Sequence, residues 1–284
     1  MKHIFLNLKR FDISPAKGGV NRLAPMKDWG RTIVSGTQDA LTAYDPAEVE
    51  FVMYMPEAHL LGAAAAKTEN SPVQLGCQGV YREDTAPGGN FGAFTANRTA
   101  NAMWEAGCEY VLIGHCEERN DKAGLLEEAG VDLRAAAQAV NRALNREIKA
   151  AQRAGLNVLY CIGEKSEEQD RWQEVLGAQL DAGLDGADRT RTVIAYEPVW
   201  SIGPGKKPAD RPYIEKVARF VRERTGGMDV VYGGGLKKDN AEMLASIREI
   251  DGGLIALTRF SGEIGFYPEE YLEIIRNYLE KELF

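Results

Sequence analysis

One carboxylate in this sequence stands where a general base could work. Glu197 ends the β-branched run 191–196 and directly precedes 198–206, a segment too rich in glycine and proline for regular structure. A strand end would hold the carboxylate rigidly, and a hinged loop beside it could exclude water, which are the conditions for proton abstraction. The alternative is a strand-terminating glutamate that faces solvent. Residues elsewhere in the chain must decide between the two.

Short apolar runs alternate with longer amphipathic runs along the chain, which indicates strands alternating with helices. The pattern predicts helices over 31–43, 134–154, 167–184, 212–224 and 268–283. It also predicts eight strands, over 4–8, 49–55, 73–78, 110–113, 158–162, 193–196, 230–232 and 253–257.

Eight strand–helix units in one α/β chain favour a closed parallel (β/α)8 barrel. A doubly wound open sheet is disfavoured because no G-x-G-x-x-G motif follows the first strand. The loops after barrel strands share one face, where we expect five residues to converge: Lys9, His115, Glu197, Gly235 and Leu254. We therefore expect a single domain over residues 1–284, with enlarged loops after strands 1, 3 and 4.

Composition indicates which binding partners and which cellular location the protein can have. Lys plus Arg is 34 and Asp plus Glu is 42, and the net charge of −8 disfavours nucleic acid or an anionic membrane as the main partner. The chain turns polar too early for a signal peptide and has no run of roughly 18 apolar residues, so we expect a cytoplasmic protein. The four cysteines form no C-x-x-C pair, which argues for reduced thiols and against a zinc site.

Three runs resemble those of one enzyme family. Ala-Tyr-Glu-Pro-Val-Trp-Ser-Ile-Gly-Pro-Gly-Lys at 195–206 resembles the catalytic base and lid of triosephosphate isomerases, which are TIM barrels. The run 110–119 resembles the family's catalytic-histidine strand, with Cys116 where Ser is usual and Glu118 where Arg is usual. Asn7-Leu8-Lys9 resembles its first-strand Asn-x-Lys. Weaker matches at 92–95, 161–164 and 232–241 extend the resemblance over nearly the whole chain.

The resemblance implies aldose–ketose isomerisation without a cofactor or a metal. One base lifts a proton from the carbon beside a carbonyl and returns it to the neighbouring carbon, and Glu197 would be that base. A neutral His115 and the ammonium of Lys9 would stabilise the negative charge that develops on the enediolate oxygens. Read without the resemblance, His115 is a structural histidine and Lys9 a surface lysine.

Four further residues receive supporting roles from the same resemblance. Asn7 would line the substrate site, and Glu117 would hold Lys9 in place, although a solvated carboxylate at a helix start is an equal alternative. Ile202 on the lid and Leu254 on strand eight would close over the base and raise its pKa by excluding water.

A phosphorylated substrate also needs an anion site. Gly203 and Gly235 are candidates, because a residue without Cβ lets backbone N–H groups approach an anion closely, although a glycine triplet such as 233–235 is otherwise only a turn. In the family a Gly-Gly pair ends strand eight, whereas this chain has Ala256-Leu257. Arg259 could supply a bidentate fork instead, or it could be an outward arginine paired on the surface.

Three positions complete the sequence prediction. Cys161 is interpreted as a buried apolar residue that supports the site rather than a nucleophile. Thr95 ends a Gly-Ala-Phe-Thr run that, by resemblance, enters the neighbouring subunit and implies a homodimer, although Ala96-Asn97 replaces the usual Gly-Glu. Pro204, where Thr is usual, would stiffen the lid.

The leading interpretation is an isomerase of a small phosphorylated sugar, with triose phosphate as the first candidate. The same chemistry on a tetrulose or another sugar phosphate is the nearest alternative, favoured by Ala256-Leu257 and Arg259. A non-catalytic barrel that binds a metabolite is the third. Lys9, His115 and Glu197 together argue against it, because binding alone needs no base under a hinged lid.

Overall fold

The computed structural model describes residues 1–203 and 206–280. Eight parallel strands close into a barrel in sequence order, with β8 paired to β1, as the sequence predicts. The strands are β1 Lys2–Asn7, β2 Val49–Met55, β3 Val73–Cys77, β4 Tyr110–Ile113, β5 Asn157–Ile162, β6 Thr192–Tyr196, β7 Val230–Tyr232 and β8 Gly252–Ile255.

Nine helices surround the barrel in the described part of the chain. They are α1 Trp29–Leu41, α2 Glu57–Ala66, α3 Ala100–Glu105, α4 Cys116–Glu128, α5 Leu133–Ala154, α6 Trp172–Gly183, α7 Arg211–Thr225, α8 Ala241–Ala245 and α9 Pro268–Leu279. The five predicted helices correspond to α1, α5, α6, α7 and α9, and the predicted end of the last one lies outside the described residues.

The longest helix shows why these segments are helical. Asp132 accepts hydrogen bonds from the N–H groups of the first turn of α5, and Gly155, with φ of 102°, ends the helix in the left-handed region. Between them an apolar stripe that includes Val140, Leu144 and Ile148 is buried against the sheet. The short helices α2, α3 and α8 and the polar α4 have no comparable stripe, and for that reason periodicity did not predict them.

The interior of the barrel is filled by side chains rather than left open. Each fully buried large apolar residue contributes roughly 1.5–3 kcal/mol to folding. The interior cluster consists of Phe5, Val52, Tyr54, Tyr110, Leu112, Leu159, Cys161, Val193, Ala195, Val231 and Leu254. Cys161 in this cluster is fully buried, as predicted, and burial raises the pKa of its thiol well above the ordinary range.

A polar network holds strands β1, β2 and β4 to the residue before β7. His3 lies 2.6 Å from Glu50 through Nδ1 and 2.9 Å from Asp229 through Nε2. The hydroxyl of Tyr110 donates to both Glu50 oxygens, at 2.9 and 2.8 Å. Burial alone would lower the pKa of His3, but the hydrogen bonds to Asp229 and Glu50 outweigh it and raise that pKa. The network therefore favours the protonated form of His3 between the two carboxylates.

The long connections differ in character. The connection after β1, residues 8–28, is tied to α2 because Asp12 Oδ2 lies 3.0 Å from His59 Nε2. The segment after β4 consists mostly of α4 and α5 rather than of loop. An extended connection that the sequence analysis did not predict follows β8: an antiparallel bridge between Arg259 and Gly265 makes a short hairpin there. Arg22 of the first connection donates to the Ile264 carbonyl of this hairpin at 2.9 Å.

Candidate active site

Glu197 lies directly after β6 with its side chain buried. Its backbone N–H donates to the Ile162 carbonyl at 2.8 Å, and the residue is 2% exposed. The Cys116 N–H donates to Oε2 at 2.9 Å. His115 Nε2 lies 3.1 Å from Oε1 without the alignment of a hydrogen bond, and no group in the described chain donates to Oε1. One carboxylate oxygen is therefore fixed and the other is free to take a proton.

Burial sets the basicity of this carboxylate. Loss of solvation raises the pKa of Glu197, and the nearby His115, the Cys116 N–H and Lys9 oppose the rise only in part. A carboxylate in such surroundings is a stronger base than one in water. This agrees with the role that its position after β6 predicts.

Two glycines make room for the base. A Cβ at Gly163 would lie 2.0 Å from the Glu197 carbonyl oxygen, and a Cβ at Gly233 would lie 2.8 Å from Glu197 Cγ. The N–H of Gly233 also donates to the Tyr196 carbonyl at 2.7 Å. The first glycine of the 233–235 triplet therefore positions the base, a role that the sequence analysis did not assign. The position of Gly233 directly after β7 was the sequence feature that could have indicated this role.

His115 caps the N-terminus of α4. The Glu117 N–H donates to its Nδ1 at 3.3 Å. A ring nitrogen that accepts a hydrogen bond carries no proton, so this contact favours the neutral imidazole with its proton on Nε2. That nitrogen is the one that approaches Glu197. The structure therefore brings the predicted donor and the predicted base together.

The turn before His115 is held by charged side chains on α4. The Gly114 N–H donates to Glu118 Oε2 at 2.6 Å, and Arg119 Nε donates to the Gly114 carbonyl at 2.8 Å. Glu118 also pairs with Lys122 at 2.8 Å. The glutamate at the position where the family usually has an arginine is thus satisfied locally and fixes the backbone that carries His115.

Lys9 follows β1 in a strained backbone conformation, with φ of 42°. Its N–H donates to Asn7 Oδ1 at 3.1 Å, and its Nζ lies 2.7 Å from Glu117 Oε1. Burial would raise the pKa of Glu117, but the hydrogen bond from Lys9 outweighs it and lowers that pKa. Of the two alternatives for Glu117, the structure therefore favours the partner that holds Lys9.

Gln78 is a site residue that the sequence analysis did not assign. It directly follows β3, and its Nε2 lies 3.3 Å from Asn7 Oδ1, 3.1 Å from the Lys9 carbonyl and 3.4 Å from the Tyr54 carbonyl. These contacts fix the turn that presents Lys9. Its position at the C-terminal end of a strand was the available signal.

A cavity of about 380 Å³ opens beside these groups. It is large enough for a small metabolite. Its wall combines two cations with acidic and amide side chains, which can form hydrogen bonds with a polar ligand. The lining residues are Asn7, Lys9, Arg10, Phe11, Gln78, Leu112, His115, Glu117 and Glu118.

The start of the lid is anchored to the barrel by one buried carboxylate. Glu164 Oε1 accepts hydrogen bonds from Tyr196 at 2.9 Å, from Trp200 Nε1 at 2.8 Å and from Tyr213 at 3.0 Å. Burial raises the pKa of Glu164 despite these donors. The turn Val199–Ser201 is therefore held in place.

The predicted lid and strand-eight residues are placed only in part. Leu254 is in the barrel interior and 4% exposed, whereas Ile202 is half-buried and Gly203 is exposed, with φ of 117°. Their closure over Glu197 stays a prediction. The predicted stiffening by Pro204 lies outside the described residues.

Arg259 is a correction to the sequence prediction. Its Nε and Nη2 both donate to Glu270 Oε1, at 2.8 and 2.5 Å, and its guanidinium stacks 3.9 Å from the ring centroid of Tyr267. The hairpin after β8 turns the side chain toward α9, so Arg259 does not line the cavity. The alternative of a surface-paired arginine describes what is observed.

The remaining predicted residues lie at the rim or apart from the cavity. Gly235 follows β7 with φ of 100°, and its carbonyl accepts from Asn240 Nδ2 at 2.9 Å. Thr95 is exposed on the connection between β3 and α3, and Phe91 on the same connection is 92% exposed.

Three possible metal-ligand atoms lie within 4.8 Å of one another at this site, one each from His115, Cys116 and Glu197. A metal would need the thiolate of Cys116. Burial and the neighbouring Glu197 raise the pKa of this thiol to about 12, so without a metal it is protonated.

This arrangement is that of a (β/α)8-barrel enzyme that works by acid–base chemistry at the C-terminal ends of its strands. Comparison with known proteins narrows the class. The sequence profile of the family described as triosephosphate isomerase matches residues 30–277. The chain belongs to the triosephosphate isomerase family.

Individual relatives agree with this assignment. The chain is 36% identical to a triosephosphate isomerase of Halorhodospira halophila over 264 residues, which are 86% of this chain and 94% of that protein. It is 37% identical to one of Afipia carboxidovorans over 215 residues, 72% and 77% of the two chains. The crystal structure of triosephosphate isomerase from Bartonella henselae matches with a TM-score of 0.68 at 25% identity, covering 98% of each chain.

The matched profile begins after Asn7 and Lys9, so the assignment of these residues depends on their own contacts. In the described part of the chain, no helix has the length and apolar character needed to cross a membrane.

Proposed function

We propose that the protein interconverts dihydroxyacetone phosphate and glyceraldehyde 3-phosphate through an enediolate, without a cofactor. One observation carries the proposal: Glu197 is buried, and its Oε1 has no hydrogen-bond partner in the described chain although it lies 3.1 Å from His115 Nε2. A base without a partner, next to a hydrogen-bond donor, fits proton transfer beside a carbonyl.

The steps follow from these groups. Glu197 takes the proton from the carbon next to the carbonyl, the released electron pair forms the carbon–carbon double bond, and the carbonyl oxygen becomes negative. The Nε2–H of His115 and the ammonium of Lys9 stabilise this charge. Glu197 then returns the proton to the neighbouring carbon, and the hydroxyl proton moves between the two oxygens through His115.

The surroundings favour these steps. The Cys116 N–H fixes Oε2, so the base does not need to search for its orientation. Glu117 and the Gln78 amide hold Lys9 at the cavity, which supplies local positive charge in a protein of net charge −8. This supports a phosphorylated sugar as the substrate, bound with Asn7, Gly203, Gly235 and Leu254 around it.

A larger sugar phosphate is the second candidate. The specific observation in its favour is Ala256-Leu257, which replaces the Gly-Gly pair that ends strand eight in the family. Two side chains there change the space at the phosphate end and remove close-approach amides. A tetrulose phosphate isomerase would use the same three catalytic residues.

We also propose a single-domain homodimer in the cytoplasm. The connection that carries Thr95 is the one that enters the partner in the resembled enzymes, and Phe91, 92% exposed on it, is an apolar side chain suited to burial there. Gel filtration with light scattering tests the homodimer. Monomers for wild type, or unchanged dimers for a Phe91→Asp variant, contradict it.

A coupled assay tests the proposed function. The purified protein is assayed with triose and tetrose phosphates beside the matched variant Glu197→Gln, which keeps the shape of the side chain but cannot take a proton. We expect rapid turnover of triose phosphate by wild type and almost none by the variant. Turnover of the tetrose substrate alone would select the second candidate, and no turnover of either would contradict both.

A further inference from the structure

We propose that Lys237 binds the phosphate group of the substrate and takes over from the backbone amides that a strand-eight glycine pair would supply. The inference rests on the proposed function, because it assumes a phosphorylated substrate. It concerns a residue to which the sequence analysis gave no role.

The backbone directs Lys237 toward the mouth of the barrel. Asn240 accepts from the Lys237 N–H at 2.8 Å and donates to the Gly235 carbonyl at 2.9 Å, which closes a tight turn after β7. The side chain folds back over this turn, since a Cβ placed on Gly235 would lie 3.3 Å from Lys237 Cε. Gly233, two residues before Gly235, packs against the base. The Lys237 side chain is thus on the same face as Glu197.

The ammonium lies between the connections that follow β7 and β8. Its Nζ is 4.5 Å from the ring centroid of Phe260, on the hairpin after β8, and a ring face attracts such a cation. In (β/α)8 barrels the loops after strands seven and eight frequently form the phosphate site. Phe260 holds the cation at this place from the β8 side.

The charge of Lys237 is uncompensated. Among the residues that the structure describes, no carboxylate pairs with its ammonium and no acceptor takes a hydrogen bond from it. The neighbouring cations differ: Lys238 pairs with Glu273, Arg259 with Glu270 and Lys9 with Glu117. A half-buried ammonium without an anion at the mouth of the barrel is a site for an anionic ligand.

The chain needs such a cation because of Ala256-Leu257. A phosphate group cannot approach backbone amides as closely past two Cβ atoms as it can past glycines. Lysine binds phosphate as a point charge from the end of a flexible stem, so it can act from a greater distance. Arg259, the other nearby cation, is held by Glu270.

The test compares Lys237→Met with Lys238→Met, a matched control that removes the adjacent exposed lysine. We expect Lys237→Met to raise KM for triose phosphate by about tenfold to a hundredfold, the effect of losing one charge-assisted contact. Turnover of glyceraldehyde, which has no phosphate, should not change, and inhibition by inorganic phosphate should weaken in parallel. Lys238→Met should match wild type, and Lys237→Arg should recover part of the affinity.

Two outcomes would overturn the inference. In the first, Lys237→Met keeps both its KM for triose phosphate and its inhibition constant for inorganic phosphate within about twofold of the wild-type values. The other is an equal loss with glyceraldehyde, which would indicate a structural role. If wild type has no isomerase activity, titration of inorganic phosphate by calorimetry still decides: weaker binding by Lys237→Met supports the site, and equal binding contradicts it.

Discussion

The backbone N–H of Cys116 donates a hydrogen bond to Glu197 Oε2 across 2.9 Å and so joins the start of α4 to the end of β6. The contact needs no particular side chain at position 116, so a thiol here leaves the orientation of the base intact. It also makes the two carboxylate oxygens unequal, because Oε2 has a donor and Oε1 has none in the described chain. Of the two oxygens, Oε1 is the one left free for the proposed proton transfer.

His115→Gln should lower kcat more than it raises KM for triose phosphate. The Nε2–H matters mainly when charge develops on the substrate oxygen, so its loss raises the barrier of the chemical step. Steady-state kinetics at saturating substrate measure the effect, with the melting temperature as a control for the cap of α4. A change in KM alone would make His115 a binding residue.

Lys9→Met should abolish both binding and turnover of a phosphorylated substrate. The protein is acidic overall, so an anionic substrate needs local cations such as Lys9, and raised ionic strength should increase KM for wild type. Lys27→Met, which removes an exposed lysine paired with Asp28, is the control. A wild-type KM that stays constant from low to high salt would indicate an uncharged substrate.

Arg259→Ala should leave the kinetics on triose and tetrose phosphates unchanged. A substrate-binding Arg259, one of the two alternatives from the sequence, would give a large loss, but the structure places the guanidinium on Glu270 and Tyr267. We expect only a small decrease in the free energy of unfolding, because the ion pair is partly exposed. Denaturant unfolding and kinetics measure the two quantities. A large loss of kcat/KM would restore Arg259 to the substrate site.

Stability should fall as the pH rises through the folded-state pKa of His3. The hydrogen bonds to Asp229 and Glu50 raise this pKa above its ordinary value of 6.5, so the stabilisation is complete below that pH and is lost above it. The hydrogen bond from His3 lowers the pKa of Asp229, whose contribution is lost in acid instead.

Melting temperatures from pH 5.5 to 9 measure this effect. Wild type should lose about 2–4 °C for each kcal/mol of stabilisation that disappears, and His3→Gln should show a flatter profile over the same range. Identical profiles for the two proteins would show that the charge of His3 does not contribute.

Sequence reasoning was most successful where a strand ends. Glu197, His115 and Lys9 each follow a short apolar run, and the closure of parallel strands into a barrel brings such ends together whatever their separation in the chain. The local sequence therefore indicated both the strand and the position of the side chain just after its C-terminal end.

The remaining features depend on contacts between distant parts of the chain. Gln78 contacts Asn7, and Gly163 leaves room for Glu197, but neither pairing has a local pattern. The helix α4 was not predicted because its charged residues bind the turn at Gly114 instead of forming an apolar stripe. The direction of Arg259 depends on a hairpin that only the folded chain shows.

The central claim is that Glu197 carries the proton between two carbons of the substrate, and solvent deuterium tests it most directly. In D2O, wild type should convert dihydroxyacetone phosphate into glyceraldehyde 3-phosphate that carries deuterium at carbon 2, because the carboxylic acid exchanges with solvent before it returns the proton. Glu197→Asp should do so with kcat lowered by about a hundredfold or more, because the shorter side chain misplaces the base. Glu197→Gln should form almost no product. Labelled product from Glu197→Gln at the wild-type rate would contradict the account.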